Sequence, residues 1–433
     1  MIYHLFEYLR QYDIPGQGLF TYLSFRAILA FTAALLIAIF AGKRIIRMIQ
    51  KKQIGEEIRD LGLEGQMQKK GTPTMGGIII FLAIIIPVLL FSDLTNIYSI
   101  LLIISTVWFF FIGLSDDYIK VFKKKKEGLS PKARLVAHTI IGLMIGITVW
   151  LSDDIVVRVN VPATNTVSSI YNAGDSLTVD TSRAVQDNAW QQEDMIKSTK
   201  TTIPFVKNHE FDYKWLSPFK GAAGWYCKWA IYVLMIVIVI TACSNGTNLT
   251  DGMDGLAAGT SAIVGIVIGI LAWLSGNLIN SNYLNIMYIP GTGEIAVFMS
   301  AFIGALLGFL WYNSYPAQVF MGDTGSLAIG GIIGVSAILI RKELLLPILC
   351  GIFFVESLSV LIQRFYFKYT RIKTGTGQRI FRMAPLHHHY QRIDIPAKIQ
   401  WPTHPVPEAK IVTRFWLTGL ILAVATLALL KIR

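Results

Sequence analysis

Long apolar runs alternate with shorter polar connections along most of this chain. An apolar run of about 20 residues is long enough to cross a bilayer as a helix. The pattern predicts ten such helices, of which the second is short, and Gly76, Gly77 and Pro87 suggest that it is bent or tilted. The predicted spans are 20–42, 77–91, 97–115, 135–152, 226–243, 256–274, 294–312, 325–340, 344–366 and 411–430.

The composition agrees with this pattern, because 53% of residues are hydrophobic, only 15% are charged, and the mean hydropathy is +0.53. These values are typical of an all-α polytopic membrane protein and exclude an ordinary soluble domain. The three cysteines are scattered and show neither a disulfide framework nor a metal-binding spacing. The segment Met1–Gln17 lacks a basic start followed by an apolar run, so we expect no cleaved signal sequence.

The distribution of Lys and Arg predicts the sidedness of the chain. Eight lie in 43–77, seven in 116–134 and eight in 367–410, whereas the connections after the second and sixth spans contain none. Because cytoplasmic loops are enriched in basic residues, the odd-numbered connections are predicted to be cytoplasmic and both termini extracytoplasmic. The same rule accounts for the net charge of +12, so we expect no nucleic-acid partner.

The polar residues between the fifth and sixth spans are the strongest candidates for chemistry. A carboxylate at membrane depth carries a penalty of roughly 2.5–3.5 kcal/mol, so it needs a functional reason. Asn245, Asn248, Asp251 and Asp254 follow one another in three-residue steps, which on a helix would form a slowly spiralling polar stripe. A polar helix cap accounts for one Asp and one Asn, but not for all four.

Two further acidic motifs, with three Asp in all, lie at the ends of predicted spans. Asp116 and Asp117 are adjacent carboxylates, for which a divalent cation or Lys120 is a plausible partner, although an ordinary surface i,i+4 pair is the alternative. Asp323 lies before an apolar helix between Gly322 and Gly325, either as a Mg²⁺ ligand or as a helix N-cap.

The remaining candidates are basic, aromatic or amide side chains on the same predicted face. Lys69 and Lys70 precede a Gly- and Pro-containing run with Thr74 and suit phosphate, although the run is not a P-loop. Phe320 offers an aromatic face to a base. The consecutive histidines 387–389 cannot all face one metal on a helix, so they suggest diphosphate contacts or a polar loop. Glu356 and Gln363 lie in the apolar ninth span. They are either site residues or side chains that form hydrogen bonds between helices.

Taken together, these motifs resemble those of the phospho-N-acetylmuramoyl-pentapeptide transferases, within the polyprenyl-phosphate N-acetylhexosamine-1-phosphate transferase superfamily. The acidic motifs mark the superfamily, and the run Pro385-Leu386-His387-His388-His389 indicates the muramoyl-pentapeptide branch. The resemblance implies a bacterial inner-membrane protein of ten helices, a cytoplasmic active site, Mg²⁺ and a homodimer. The motifs that carry it are 69–77, 116–120, 245–256, 319–327 and 383–389.

By this resemblance, the substrates are UDP-N-acetylmuramoyl-pentapeptide and undecaprenyl phosphate, a membrane lipid, and the products are lipid I and UMP. Either direct attack by the lipid phosphate or a covalent aspartyl intermediate is compatible with the residues. The implied catalytic residues are Asp323 as Mg²⁺ ligand, with Asp117 and Asp254 as further candidate ligands, Asp116 or Asp117 as proton acceptor, and His387. The implied substrate-binding residues are Lys69, Lys70, Thr74, Lys120 and Lys132 for phosphates; Asn245, Asn248, Asp251, Asp254, Asn313 and Phe320 for uridine and diphosphate; and Gln363, His387, His388 and His389 for diphosphate or sugar.

Two alternatives to the muramoyl-pentapeptide transferase function stay open. One is a sibling transferase that uses UDP-N-acetylglucosamine, and the other is an ion-coupled transporter, in which polar residues would lie near the midplane of the membrane.

We expect a single transmembrane transferase domain, 1–433, with an extracytoplasmic insertion at 153–225 between the fourth and fifth spans. In this insertion, 156–159 and 176–179 alternate enough to permit a hairpin. The region is longer than the family's usual connection by roughly residues 155–200. Because it lies on the face opposite the chemistry, we expect it to be dispensable for turnover.

Overall fold

The computed structural model describes residues 1–12, 17–52, 71–125, 127–158, 195–206 and 210–430. Helices dominate these ranges, and the strands are confined to one short region. The α-helices are α1 Ile2–Leu9, α2 Leu23–Lys52, α3 Gly77–Phe91, α4 Ile97–Val121, α5 Pro131–Leu151, α6 Gly221–Thr250, α7 Leu256–Ser275, α8 Leu278–Leu284, α9 Gly293–Asn313, α10 Gly322–Leu339, α11 Leu346–Leu349, α12 Gly351–Thr374, α13 Leu386–Gln391 and α14 Glu408–Ala428. Short 3₁₀ turns are Arg10–Tyr12, Gln17–Thr21, Tyr213–Leu216 and Glu343–Leu345.

Nine of the ten predicted spans each overlap one long helix of the structure, whereas 344–366 overlaps both α11 and α12. Within the described ranges, eight helices are long and apolar enough to cross a membrane, namely α2, α4, α5, α6, α7, α9, α10 and α14. The pair Glu343–Leu349 and Gly351–Thr374, bent by 77°, can form a ninth span, and α3 is a shorter apolar helix of 15 residues. The prediction of an all-α polytopic membrane protein is confirmed, whereas ten spans and extracytoplasmic termini stay predictions.

Helix α10 lies at the centre of the bundle. Every residue from Thr324 to Leu339 is buried, and the helix packs against α4 and α6. Its approach to α4 depends on Gly113, because a Cβ at that position would lie 2.2 Å from the backbone oxygen of Asp323. The glycine therefore lets the end of α4 meet the start of α10.

Two small antiparallel sheets occupy the predicted outer region. Strand β1, Val157–Arg158, pairs with β2, Met195–Ile196, and β3, Lys200–Thr202, pairs with β4, Glu210–Asp212. A strand at 157–158 agrees with the predicted hairpin, but 176–179 lies outside the described residues, and the observed partner is β2.

Backbone and side-chain contacts attach this outer region to the helices. The backbone N–H of Thr202 donates to the Arg341 carbonyl at 3.0 Å, and Lys342 Nζ donates to Thr202 Oγ1 at 2.6 Å. Strand β3 is therefore fastened to the connection that follows α10.

Candidate active site

Three carboxylates meet where α4 ends and α10 begins. Asp116 and Asp117 lie in the last turns of α4, and Asp323 lies in the first turn of α10. One oxygen from each lies within 4.8 Å of the others. Asp116 and Asp117 are 0% and 3% exposed, so these charges are removed from water. Tertiary packing thus joins two acidic motifs that are about 200 residues apart in the chain.

Asp117 binds the amino terminus of α10. Its oxygens accept hydrogen bonds from the backbone N–H groups of Asp323 at 3.1 Å and Thr324 at 2.8 Å, and from the Thr324 hydroxyl at 2.6 Å. A helix amino terminus carries unsatisfied N–H groups and a partial positive charge, both of which favour an anion. Asp117 therefore holds Asp323 in place by its backbone.

Two cations neutralise the other carboxylates. Lys120 Nζ lies 2.6 Å from Asp116 Oδ2 and 2.8 Å from Asp323 Oδ2. Arg134, in the first turn of α5, lies 2.8 Å from Asp116 Oδ1 and 3.4 Å from Asp323 Oδ2. The backbone N–H of Leu129 also donates to Asp116 at 2.7 Å. The predicted i,i+4 pair of Asp116 and Lys120 therefore forms, but within a larger buried network.

The predicted polar stripe on α6 is only partly present. Asn248 Nδ2 donates to Asp323 Oδ1 at 2.8 Å, whereas Asn245 Nδ2 donates to the Thr241 carbonyl of its own helix at 2.8 Å. The expected continuation of the stripe through Asp251 and Asp254 is wrong, since α6 ends at Thr250. The chain turns there through Gly252 and Gly255, so the two carboxylates lie in a turn.

Asp251 lies immediately after α6 and is half-buried. Burial, followed by the negative charges of Asp323, Asp117 and Asp254, raises the pKa of Asp251 well above its usual range. Asp251 therefore shares the electrostatic field of the acidic cluster.

Asp254 and Asn313 connect this turn to the segment before α10. Asp254 Oδ2 accepts from the Ala317 backbone N–H at 3.0 Å, and Asn313 Oδ1 accepts from Gly255 N–H at 3.1 Å. Asn313 Nδ2 also donates to the Val319 carbonyl at 2.9 Å. Both predicted residues thus shape the connections around the cluster.

The segment before α3 completes this side of the site. Phe320 exchanges backbone hydrogen bonds with it, donating to the Pro73 carbonyl and accepting from Gly76 N–H, both at 2.8 Å. A Cβ on Gly77 would lie 2.2 Å from Gly325 N, so the approach needs glycine. Thr74 is consequently buried beside the start of α10. Lys69 and Lys70, just before this segment, lie outside the described residues.

The three histidines have different surroundings. His387 is fully buried, with Nδ1 3.2 Å from Glu356 Oε2. His388 Nδ1 shares a hydrogen bond with Gln391 Oε1 at 3.0 Å. His389 contacts the backbone with both ring nitrogens, and burial together with Arg382 lowers its pKa. The three consecutive histidines therefore have different partners and do not form one site.

Gln363 holds the loop that leads to the histidines. Its Oε1 accepts from the N–H groups of Ile380 and Phe381 at 3.1 and 3.0 Å, and its Nε2 donates to the Phe381 carbonyl at 3.2 Å.

Lys132, which was predicted to bind phosphate, is exposed on the first turn of α5.

Sequence reasoning missed two residues of the cluster, Arg134 and Thr324. Arg134 is one of the seven basic residues of 116–134, which the positive-inside rule explains without a role in the site. Its nearness in the chain to Asp116 is the only sequence feature that indicates a contact between them. Thr324 had no signal of its own, because its role depends on the contact between α4 and α10.

The donor set fits a divalent cation. Mg²⁺ binds through one or two carboxylates at about 2.1 Å and keeps waters for the rest of its shell. Asp116, Asp117 and Asp323 supply such oxygens in one place, and the group found among the described residues does not include Asp254. A buried acidic cluster that could hold a metal is therefore present.

Comparison with known proteins identifies the family of the chain. Residues 196–341 match the sequence family "Glycosyl transferase family 4". With its long apolar helices, this is a polytopic membrane protein that is similar to the glycosyl transferases over that region. Residues 69–81 match a "Phospho-N-acetylmuramoyl-pentapeptide-transferase signature 1". Proteins named phospho-N-acetylmuramoyl-pentapeptide-transferase are 54% identical in Parabacteroides distasonis, 51% in Porphyromonas gingivalis and 48% in Bacteroides fragilis, each over 100% of both chains. The chain belongs to the phospho-N-acetylmuramoyl-pentapeptide-transferase family.

These full-length matches also bear on the outer region. Because each alignment covers both chains completely, 153–225 lies within the part shared with these relatives. The names of the relatives favour the muramoyl-pentapeptide branch over the UDP-N-acetylglucosamine sibling and over a transporter.

Proposed function

We propose that this protein transfers phospho-N-acetylmuramoyl-pentapeptide from its UDP-linked precursor to undecaprenyl phosphate, giving lipid I and UMP. One observation carries the proposal: Asp116, Asp117 and Asp323 form one buried cluster in a chain that is about half identical, over its full length, to transferases named for this reaction. Phosphoryl transfer depends mainly on positioning and charge neutralisation, and a cluster of fixed carboxylates and cations can supply both.

We propose Mg²⁺ as the cofactor, held by Asp323 with Asp117 as the further ligand. Bound there, it would neutralise negative charge on the diphosphate. Lys120 and Arg134 already contact Asp116 and Asp323, and their N–H groups would turn toward phosphate oxygens when substrate enters. The hydrogen bond from Asn248 keeps the Asp323 carboxylate oriented during this exchange.

In the proposed reaction, a phosphate oxygen of undecaprenyl phosphate attacks the phosphorus that carries the sugar. The bond from that phosphorus to the oxygen bridging to the uridine-bearing phosphate breaks, and UMP leaves. We assign to Asp116, rather than Asp117, acceptance of the proton that the attacking phosphate of undecaprenyl phosphate carries. Both Asp117 oxygens accept hydrogen bonds from the fixed start of α10, whereas Asp116 is paired mainly with side chains that can move.

The remaining proposed contacts rest on the position of the described residues and, for Lys69 and Lys70, on the family resemblance alone. Asp251, Asp254, Asn313 and Phe320 would surround uridine, since they line the turns next to the cluster. Asn245, Thr74, Lys69, Lys70 and Lys132 are proposed around the phosphates, and His387, His388, His389 and Gln363 on the sugar side.

We place the site at the cytoplasmic face of the bacterial inner membrane. The basic residues at the end of α2 and around α4 and α5 support this placement by the positive-inside rule. A homodimer and a single transferase domain over 1–433 stay predictions.

The test uses purified full-length protein in detergent with UDP-N-acetylmuramoyl-pentapeptide, undecaprenyl phosphate and Mg²⁺. We expect UMP release that stops on chelation with EDTA and is absent when UDP-N-acetylglucosamine replaces the nucleotide substrate. Asp323→Ala should abolish turnover, whereas Asp394→Ala, at an exposed carboxylate paired with Arg392, should retain it. Release of UMP at the parental rate by Asp323→Ala would refute the assignment.

A further inference from the structure

Glu356 is a buried carboxylate on the first half of α12, where no other residue is charged. It is 0% exposed, and a carboxylate buried without partners is strongly destabilising. Among the described residues, the hydrogen-bond and ion-pair partners of this carboxylate all belong to His387. The His387 backbone N–H lies 3.2 Å from Oε1 and 3.4 Å from Oε2. His387 Nδ1 lies 3.2 Å from Oε2, near enough for electrostatic attraction but without hydrogen-bond geometry.

The opposite side of the His387 ring faces the turn after α6. A Cβ on Gly252 would lie 2.2 Å from His387 Nε2, so the imidazole occupies the space that any other residue would fill. Within the described part of the chain, Nε2 is buried and has no hydrogen-bond partner. A buried polar atom without a partner is costly unless another group, such as a substrate oxygen, satisfies it.

We propose that Glu356 is the positioning residue for His387, and that Gly252 is the glycine this arrangement requires. The carboxylate holds the His387 backbone N–H by hydrogen bonds, and its negative charge beside the ring favours the proton on Nδ1, as carboxylates do beside functional histidines. Nε2 then carries the lone pair and faces the turn that contains Asp251 and Asp254, where a sugar hydroxyl of the substrate would donate to it. The inference rests on the proposed role of His387 at the substrate.

The test is a double-mutant cycle on kcat and KM with full-length protein. Glu356→Gln should lower kcat/KM by about 10- to 100-fold, the usual loss when a partner behind a functional histidine is removed. Glu356→Asp, which keeps the charge, should recover part of it. In a His387→Ala background, Glu356→Gln should cause little further loss, because residues that act as one unit are not additive.

Gly252→Ala supplies an independent variant if Glu356→Gln folds poorly. It leaves Glu356 intact but displaces the ring, so it should impair the parent and be nearly neutral in His387→Ala. Glu343→Gln is the matched control, since Glu343 is also a buried carboxylate but accepts from Tyr213, in the outer region. Its effect should be on thermal stability and should be the same with or without His387.

The outcomes separate the two hypotheses. If His387→Ala turns over like the parent, the proposed role of His387 fails. If His387→Ala is impaired but the losses from Glu356→Gln and Gly252→Ala are fully additive with it, the positioning inference is overturned and the role of His387 stands.

Discussion

The Asp117 carboxylate accepts two hydrogen bonds from Thr324, one from its hydroxyl at 2.6 Å and one from its backbone N–H at 2.8 Å. Both residues are buried, so this contact between α4 and α10 is shielded from water. It ties the position of one catalytic candidate to the start of the helix that carries another, Asp323.

Replacing Thr324 by Val should weaken both stability and turnover. The substitution keeps the shape but removes a donor to a charged acceptor, a bond worth about 1.5–3 kcal/mol. If that energy is expressed in the transition state, kcat/KM falls roughly 10- to 100-fold. Thr324→Ser, which keeps the hydroxyl, is the control. Equal UMP release by the two variants would count against a role for this hydrogen bond.

Arg134 should matter more for the acidic cluster than its exposed neighbour Lys132. Arg134→Gln removes a cation from Asp116 and Asp323, and loss of a charge-assisted contact of about 1.5–3 kcal/mol predicts roughly a 10- to 100-fold decrease in kcat/KM. The Mg²⁺ concentration needed for half-maximal rate should also change. Lys132→Gln should affect mainly KM for undecaprenyl phosphate. Identical metal dependence in Arg134→Gln and the parent would argue against the pairing.

Lys342 should make thermal stability depend on pH. Burial lowers the pKa of Lys342 from its ordinary 10.5 to about 8. Between pH 8 and pH 10.5 the unfolded chain binds more protons than the folded one, so the free energy of unfolding rises with pH over this range. Below about pH 8 the lysine is charged in both states, and the full cost of burying the cation applies.

Lys342→Met should therefore raise Tm at pH 7 relative to the parent, with a difference that shrinks toward pH 10. Thermal unfolding across this pH range checks it, with Lys214→Met, at an exposed lysine, as the control. A parent and a Lys342→Met variant whose Tm values change in parallel with pH would contradict the prediction.

The outer insertion should tolerate a large deletion. Arg158 and Met195 are paired across β1 and β2, so a short Gly-Ser linker can replace 160–193, which lies outside the described residues, without separating the strands. Because Thr201 and Thr202 still anchor β3 to the end of α10, we expect unchanged kcat and KM. A folded deletion variant that has lost UMP release would show that this region supports catalysis.

Much of the architecture was predictable from local patterns. A bilayer requires long apolar runs with internally satisfied hydrogen bonds, so the spans could be located from hydropathy alone. The candidate carboxylates were recognisable for the same reason, since Asp116, Asp251 and Asp323 are costly near a membrane and therefore stand out. The bend before α12 was not predicted, because apolarity continues across it.

The sequence by itself determined the class of the protein, the position of the spans and the residue types available for phosphate chemistry, since these depend on composition and on neighbours in the chain. Only the tertiary structure decided which of these residues meet. Asp117 reaches Thr324, Arg134 joins Asp323, and His387 lies between Glu356 and Gly252, because glycine contacts allow particular helices and turns to approach closely. Such contacts join residues far apart in the chain, and their geometry depends on packing that no local pattern encodes.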